Sequence, residues 1–196
     1  MEQTDRKKRV LVAMSGGVDS SVAAALLCEA GFDVTGVFIC LGQAGDPDSD
    51  TRGCCSPQDA ADARKVAHTL GVNLYVLNLA EEFIPIVDYF VDEYRRGRTP
   101  NPCVPCNARI KFGRLLRHAD AQGISWVATG HYARLLSHMG EPAIWRKSPR
   151  HKDQSYVLFG LSRGSLGRLM FPLGDMPDKR HVRDKARALG LPVHDK

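Results

Sequence analysis

Ser15-Gly16-Gly17-Val18-Asp19-Ser20-Ser21 stands between an apolar β-type run, Arg9-Val10-Leu11-Val12-Ala13-Met14, and a helix-type run, Val22-Ala23-Ala24-Ala25-Leu26-Leu27-Cys28. A strand, a Gly-Gly turn and a helix start make an anion site. Glycine lets the backbone turn sharply and approach a ligand with no Cβ in the way. The N–H groups of the first helical turn then point at the anion, helped by the helix dipole. Ser15, Ser20 and Ser21 are expected to add hydroxyl donors. The Gly-Lys-Ser/Thr ending of a Walker A loop is absent, and the string is not G-x-G-x-x-G.

Working outward, strands and helices alternate. Arg9–Met14 reads as a strand and Val18–Ala30 as a helix stopped by Gly31. Phe32–Cys40 is a second strand, and Leu41–Ser56 a loop. Pro57 suits the first turn of a helix running to Leu70, with Gly71 as its stop. Val72–Leu79 is a third strand, followed by an amphipathic helix over Glu81–Arg96. Gly97–Pro102 breaks that helix. A new helix is expected over Pro105–Ala121 and a short buried strand over Ser125–Thr129. Beyond Tyr132 the pattern loosens: Ala143–Lys147 reads as an edge strand, His151–Tyr156 starts a helix-like run, and Pro177–Leu189 is a basic helix closed by Gly190. Such alternation implies a parallel sheet with right-handed crossovers, whose ligands bind beyond the carboxyl ends of the strands. The glycine turn, Cys40 and Gly130 should therefore converge on one crevice.

At 196 residues with 43% hydrophobic content, the chain is long enough for one large domain. No run of 18 apolar residues marks a membrane span, and Met1–Arg9 has no signal-peptide apolar region, so a cytoplasmic protein without membrane contact is expected. The net charge is +5, unevenly spread: Arg95 to Arg117 holds seven Lys/Arg and no carboxylate, whereas the preceding helix carries Glu81, Glu82, Asp88, Asp92 and Glu93. A second basic cluster is Arg146, Lys147, Arg150 and Lys152. Such segregation suggests a face for a polyanion, against an ordinary solvated surface.

Gly97–Phe112 (GRTPNPCVPCNARIKF) is the second informative stretch. Cys103 and Cys106 lie where a Pro-fixed loop enters a helix, flanked by arginines, a setting that favours thiolate. Three readings compete. A metal site would need further ligands, for which Cys54 and Cys55 are candidates. A Cys103–Cys106 redox pair and a sulfur-handling nucleophile are the others. Cys28 and Cys40 read as core, His131 as a structural hydrogen-bonding residue, and Trp126 and Trp145 as packing.

The SGGVDSS string resembles the PP-loop of the ATP pyrophosphatase superfamily, whose members cleave ATP between the α and β phosphates and adenylate a substrate. SGGVDSS, GRTPNPCVPCNARIKF, ATGHYAR and KDQSYVLFGL, in that order, resemble the tRNA-specific 2-thiouridylase family over essentially the whole chain. The resemblance implies an α/β fold, a Rossmann-like (adenine nucleotide alpha hydrolase-like) parallel sheet flanked by helices, with a helical C-terminal extension. It implies a PP-loop catalytic domain over 1–196, with 150–196 as the start of a helical tRNA-contacting region and the family's later central and β-barrel domains absent from this chain. Carried over by position, Ala13, Met14, Ser15, Gly16, Gly17, Val18, Asp19 and Ser20 would hold ATP phosphates, with Asp19 helping to hold Mg²⁺. Ile39 and Gly130 would border the nucleotide; Asn101, Pro102 and Cys103 would meet the target base; Cys106 would be the catalytic cysteine; and Lys152, Asp153 and Gln154 would touch tRNA.

The implied reaction adenylates the O2 of a tRNA wobble uridine, after which sulfur attacks C2 and AMP leaves. Its partners would be tRNA and a sulfur-donor protein or persulfide carrier. Some members of the family carry Asp where this chain has Cys103, so this is a cysteine-rich variant. Two sulfur routes stay open: a persulfide on a downstream cysteine, or a [4Fe-4S] cluster held in part by Cys103 and Cys106. The alternatives are another PP-loop tRNA-modifying or sulfur-transfer enzyme, and a non-enzymatic metal–thiolate RNA-binding module.

Overall fold

The computed structural model describes residues 7–42, 56–146 and 152–196. In chain order the elements are β1 (Arg9–Ala13), α1 (Val18–Glu29), β2 (Asp33–Cys40), α2 (Pro57–Leu70), β3 (Asn73–Asn78), α3 (Ala80–Arg95), α4 (Cys103–Pro105), a π-helical stretch (Cys106–Phe112), α5 (Gly113–Ala121) and β4 (Trp126–Ala128). The hairpin β5 (Arg134–His138) and β6 (Glu141–Trp145) follows, then a 3₁₀ turn (Ser155–Val157), α6 (Arg163–Leu166), β7 (Leu169–Met170) and α7 (Lys179–Ala188).

Five strands form one sheet in the order β3-β2-β1-β4-β7, with every pairing parallel. β1 is central because its residues are apolar on both sides. Val10 and Val12 join the core beneath α1, α2 and α7, while Leu11 joins the core made with Phe112, Leu115 and Ala119 on the opposite face. Full burial of such a side chain is worth roughly 1.5–3 kcal/mol. Gly36 on β2 fits because an added Cβ would come within 2.6 Å of Met14 Sδ. α2 starts as its sequence predicts: Ser56 and Asp59 form a reciprocal capping box, Pro57 follows, and Gly71 ends the helix in the left-handed region.

The structure departs from the sequence reading at four places. The expected helix over 105–121 begins at Cys103, and its middle is π-helical. The proposed edge strand at 143–147 is instead β6, paired antiparallel with β5 in a separate two-stranded sheet. Met139 (φ 51) and Gly140 (φ 84) make its tight turn, and a left-handed Met carries no turn signature in the sequence. The helix-like run at 151–156 is reduced to one 3₁₀ turn. The C-terminal region does include a helix, α7, but it also returns β7 to the sheet, two residues too short for any periodicity to show. Cys54, Cys55, Lys147, Arg150 and His151 lie outside the described residues.

Candidate functional site

β1 and β4 are neighbours, yet the chain leaves β1 towards β2 and reaches β4 only after β3. Strand order reverses between them, and the crevice beyond their carboxyl ends is the place where parallel sheets receive ligands. A cleft of about 220 Å³ opens there. Of the residues assigned to ATP, it is lined by Ala13, Met14, Ser15, Asp19, Ser20, Ile39 and Gly130. Gln154, assigned to tRNA, lines it as well.

The loop geometry suits an anion. Gly16 has φ 73, and a Cβ there would stand 2.1 Å from the Asp59 carbonyl oxygen, so only glycine fits. Gly17 is the N-cap of α1 and offers no capping side chain, which leaves first-turn N–H donors to a ligand. The serines behave differently from expectation. Ser20 Oγ donates to Gly17 O at 3.1 Å and Ser21 Oγ to the same oxygen at 2.8 Å. Ser15 N–H donates to Ser20 Oγ at 3.1 Å. Their hydroxyls brace the turn, which leaves the donors facing the cleft chiefly to backbone N–H groups. Gly130 packs against this turn: a Cβ there would meet Asp19 C and Ser20 N at 2.8 Å.

Asp19 faces the cleft, but both carboxylate oxygens have protein partners. Tyr132 donates its hydroxyl to Oδ1 at 2.6 Å, and Lys179 Nζ lies 2.7 Å from Oδ2. Burial and the Asp19 carboxylate together push the Tyr132 phenol well above its ordinary range. A carboxylate already shared by an ammonium and a phenol is a poor fit for a protein-held Mg²⁺. In this structure Asp19 braces α1 against Tyr132 and α7.

Three contributors were missed in the sequence. Lys111 lines the cleft, because the π-helical stretch turns it inward; the sequence showed only that it belonged to a basic segment. Tyr132 is fully buried and stands two residues after Gly130, and its nearness to that turn is its only signal in the sequence. Lys179 had none. His131 also lines the cleft, its Nδ1 2.8 Å from Thr129 Oγ1. Burial and, secondarily, the Lys111 charge hold its pKa down at about 3, so the ring is neutral.

Cys103 and Cys106 part company. Cys103 is exposed, and its N–H donates to Asn101 Oδ1 at 3.2 Å, an Asx turn that leads the chain into α4. Cys106 is buried in an apolar cluster with Leu41, Leu79, Ile86 and Ile110 rather than among arginines. That cluster touches the cleft, since Ile39 and Leu41 belong to both. Among the described residues no three His, Cys, Asp or Glu side chains gather to hold a metal ion. Two thiols in such different settings do not by themselves make an Fe–S site, which needs about four ligands.

The basic segment is partly neutralised. Arg98 Nε lies 2.6 Å from Glu93, Arg95 and Arg96 pair with Asp92 and Glu93, and Arg114 pairs with Glu82. Arg109 and Lys111 have no carboxylate within salt-bridge distance among the described residues, and Lys152 stands over the Tyr132 ring at 5.5 Å. Gln154 clasps Tyr132: its N–H donates to Tyr132 O at 2.8 Å and its Oε1 accepts from Tyr132 N–H at 2.9 Å. Asp153 accepts from Ser155 Oγ at 2.8 Å. Trp126 packs against the core, whereas Trp145 is exposed and meets His138 edge-on. Among the described residues no helix is long and apolar enough to cross a membrane.

An all-parallel sheet with a glycine turn at its switch point is a Rossmann-like α/β domain. The chain belongs to the tRNA methyl transferase HUP domain family, whose model matches residues 8–196. It is 48% identical over 216 residues to a protein of Rhodopirellula baltica named tRNA-specific 2-thiouridylase MnmA, covering 96% of this chain and 54% of that one. It is 52% identical over 190 residues to the protein of the same name from Mycolicibacterium gilvum, covering 96% and 52%. The family resemblance carried by the four motifs is thus borne out, and the chain spans about half the length of the curated relatives it matches. Among solved structures, NMN synthetase from Francisella tularensis superposes with a TM-score of 0.55 at 20% identity over 97% of this chain and 65% of that one. A predicted subunit of tRNA methyltransferase from Methanocaldococcus jannaschii gives 0.52 at 21% over 92% and 74%. These two likenesses establish the fold alone.

Proposed function

We propose that this chain is the ATP-using, base-receiving part of an enzyme that replaces the C2 oxygen of a tRNA wobble uridine with sulfur. One observation carries the reading: the cysteine-bearing helix and the phosphate loop share a crevice. Lys111 lines the cleft together with Ser15 and Ser20, and Cys106 lies against Ile39 and Leu41 of its wall. The names of the relatives support the substrate.

ATP would lie with its phosphates over Gly16–Ser20 and its base towards Ile39 and Gly130. Mg²⁺ would be held by phosphate oxygens and water, neutralising charge. The uridine O2 attacks the α-phosphorus and pyrophosphate leaves; the backbone N–H groups and Lys111 stabilise the added charge. The target base would be held near Asn101, Pro102 and Cys103, with Lys152 on the RNA backbone. The terminal sulfur of a carrier persulfide attacks C2, the C2–O bond breaks, and AMP leaves with the oxygen. The Cys106 thiolate then attacks the carrier's inner sulfur, forming a disulfide and releasing the thiocarbonyl. A dithiol reductant restores both thiols. Burial of Cys106 beside the cleft wall keeps water from that step.

The test is pyrophosphate release from ATP by the protein with unmodified tRNA. The reading predicts stimulation by tRNA bearing wobble uridine and none by the same tRNA already carrying 2-thiouridine. Equal rates with both would sink it.

A further inference from the structure

Tyr156 and Phe159 are 62% and 76% exposed, unusual for aromatic side chains inside a well-packed domain. They are not loose. Val157 and Leu158 between them are buried, Asn107 Nδ2 donates to Val157 O at 3.1 Å, and Gly160 rests on Val104 and Ala108. Tyr156 lies in the 3₁₀ turn and Phe159 just beyond it, and both rings face the same groove. They border a groove of about 370 Å³ between this turn and the β5–β6 hairpin. Its floor is largely apolar, with Ile144 and Leu161 among it; His138, Arg146 and Arg163 stand at its wall, and Glu141 is its one carboxylate. Arg146 and Arg163 are exposed, and neither has a carboxylate within salt-bridge distance among the described residues.

Rigidly held aromatic faces beside unpaired arginines match the chemistry of single-stranded RNA. Bases stack on the rings, and guanidinium groups take the phosphates. A protein partner that needed only apolar cover would not call for two uncompensated arginines. The residue before this turn, Gln154, lines the cleft, and Val157 is held by Asn107 of the cysteine helix, so the groove's wall is continuous with that of the crevice.

We propose that the groove between the Ser155–Val157 turn and the β5–β6 hairpin binds an unstacked nucleotide of the RNA substrate, with Phe159 and Tyr156 as its stacking platform and Arg146 and Arg163 on its phosphates. This rests on the RNA-modifying reading above. Neither ring touches the nucleotide cleft, so ATP binding measured alone reports intact folding.

The test is the affinity of the protein for an unmodified tRNA transcript, read by fluorescence anisotropy. Phe159→Ala should weaken binding about tenfold, the equivalent of ~1.4 kcal/mol. Phe159→Leu should weaken it equally, and Phe159→Trp should retain it. Arg163→Gln should reduce the slope of log affinity against log salt by about one. ATP affinity should be unchanged in all four. RNA affinity within twofold of the parent for both Phe159→Ala and Phe159→Leu overturns the groove and leaves the enzyme reading standing. Retention in Phe159→Leu with loss in Phe159→Ala assigns an apolar protein contact and also overturns it. A parent protein that binds ATP but no tRNA removes this inference together with the reading beneath it.

Discussion

Lys179 Nζ lies 2.7 Å from Asp19 Oδ2, joining the phosphate loop to a helix 160 positions further along the chain. The loop has no lysine of its own, and this ammonium balances the one carboxylate in its first turn. Both side chains are partly exposed, so the pair contributes only about 1 kcal/mol to folding. Its larger effect is on anions.

Lys179→Gln leaves the Asp19 charge beside the triphosphate. We expect ATP affinity to fall about tenfold, measured by calorimetry. Adding Asp19→Asn removes the repulsion and should recover most of the loss, a coupling the double-mutant cycle reads directly. Strictly additive losses would mean that the two side chains act separately.

Glycine positions should sort by what a Cβ meets. Gly16→Ala forces a methyl group onto the Asp59 carbonyl at a left-handed φ, and Gly130→Ala drives one into the backbone of Asp19 and Ser20. Each should cost roughly 1–3 kcal/mol in urea unfolding and weaken ATP binding. Gly164 has open space, and Gly164→Ala should be neutral or add up to ~1 kcal/mol.

The thiols should differ in reactivity. Cys103 is exposed and Cys106 is 8% exposed. Brief treatment with iodoacetamide, followed by peptide mass spectrometry, should find Cys103 alkylated well before Cys106. Cys106→Ser should keep tRNA-stimulated pyrophosphate release and lose thiolation, because adenylation precedes the thiol step.

His131 sets an acid limit. Its pKa is held at about 3 in the folded chain, against an ordinary value near 6.5. The unfolded chain therefore binds the proton first as pH falls. Stability is unaffected above about pH 6.5 and drops by up to ~1.4 kcal/mol per pH unit below it, towards pH 3. Denaturant unfolding at pH 7.0, 6.0 and 5.0 checks the slope, and His131→Gln should flatten it.

The glycine pair, the flanking periodicities and the helix stops made β1 to α3 legible, since each rests on local chemistry. The crevice followed from topology: once β1 and β4 are parallel neighbours, their exits must meet. What stayed hidden depends on phase and distance. One π-helical stretch decides that Lys111 faces the cleft and that Cys106 enters an apolar cluster, and seven residues of ordinary helix former do not announce it. Hydroxyls near glycines fit the role of ligand donors, but the Gly17 carbonyl competes for those of Ser20 and Ser21 and takes both. Tyr132 and Lys179 reach Asp19 from far along the chain, beyond any motif.

The central place of β1 has a consequence for biosynthesis. β1 gains its second neighbour only when Trp126–Ala128 emerges from the ribosome, and its loop gains Lys179 later still. A nascent chain can pair β1, β2 and β3 early, but the crevice takes shape only after most of the domain has been translated. Pauses or truncations before residue 126 should yield a half-sheet with an open edge at β1 and no nucleotide site, a species for chaperones rather than for substrate.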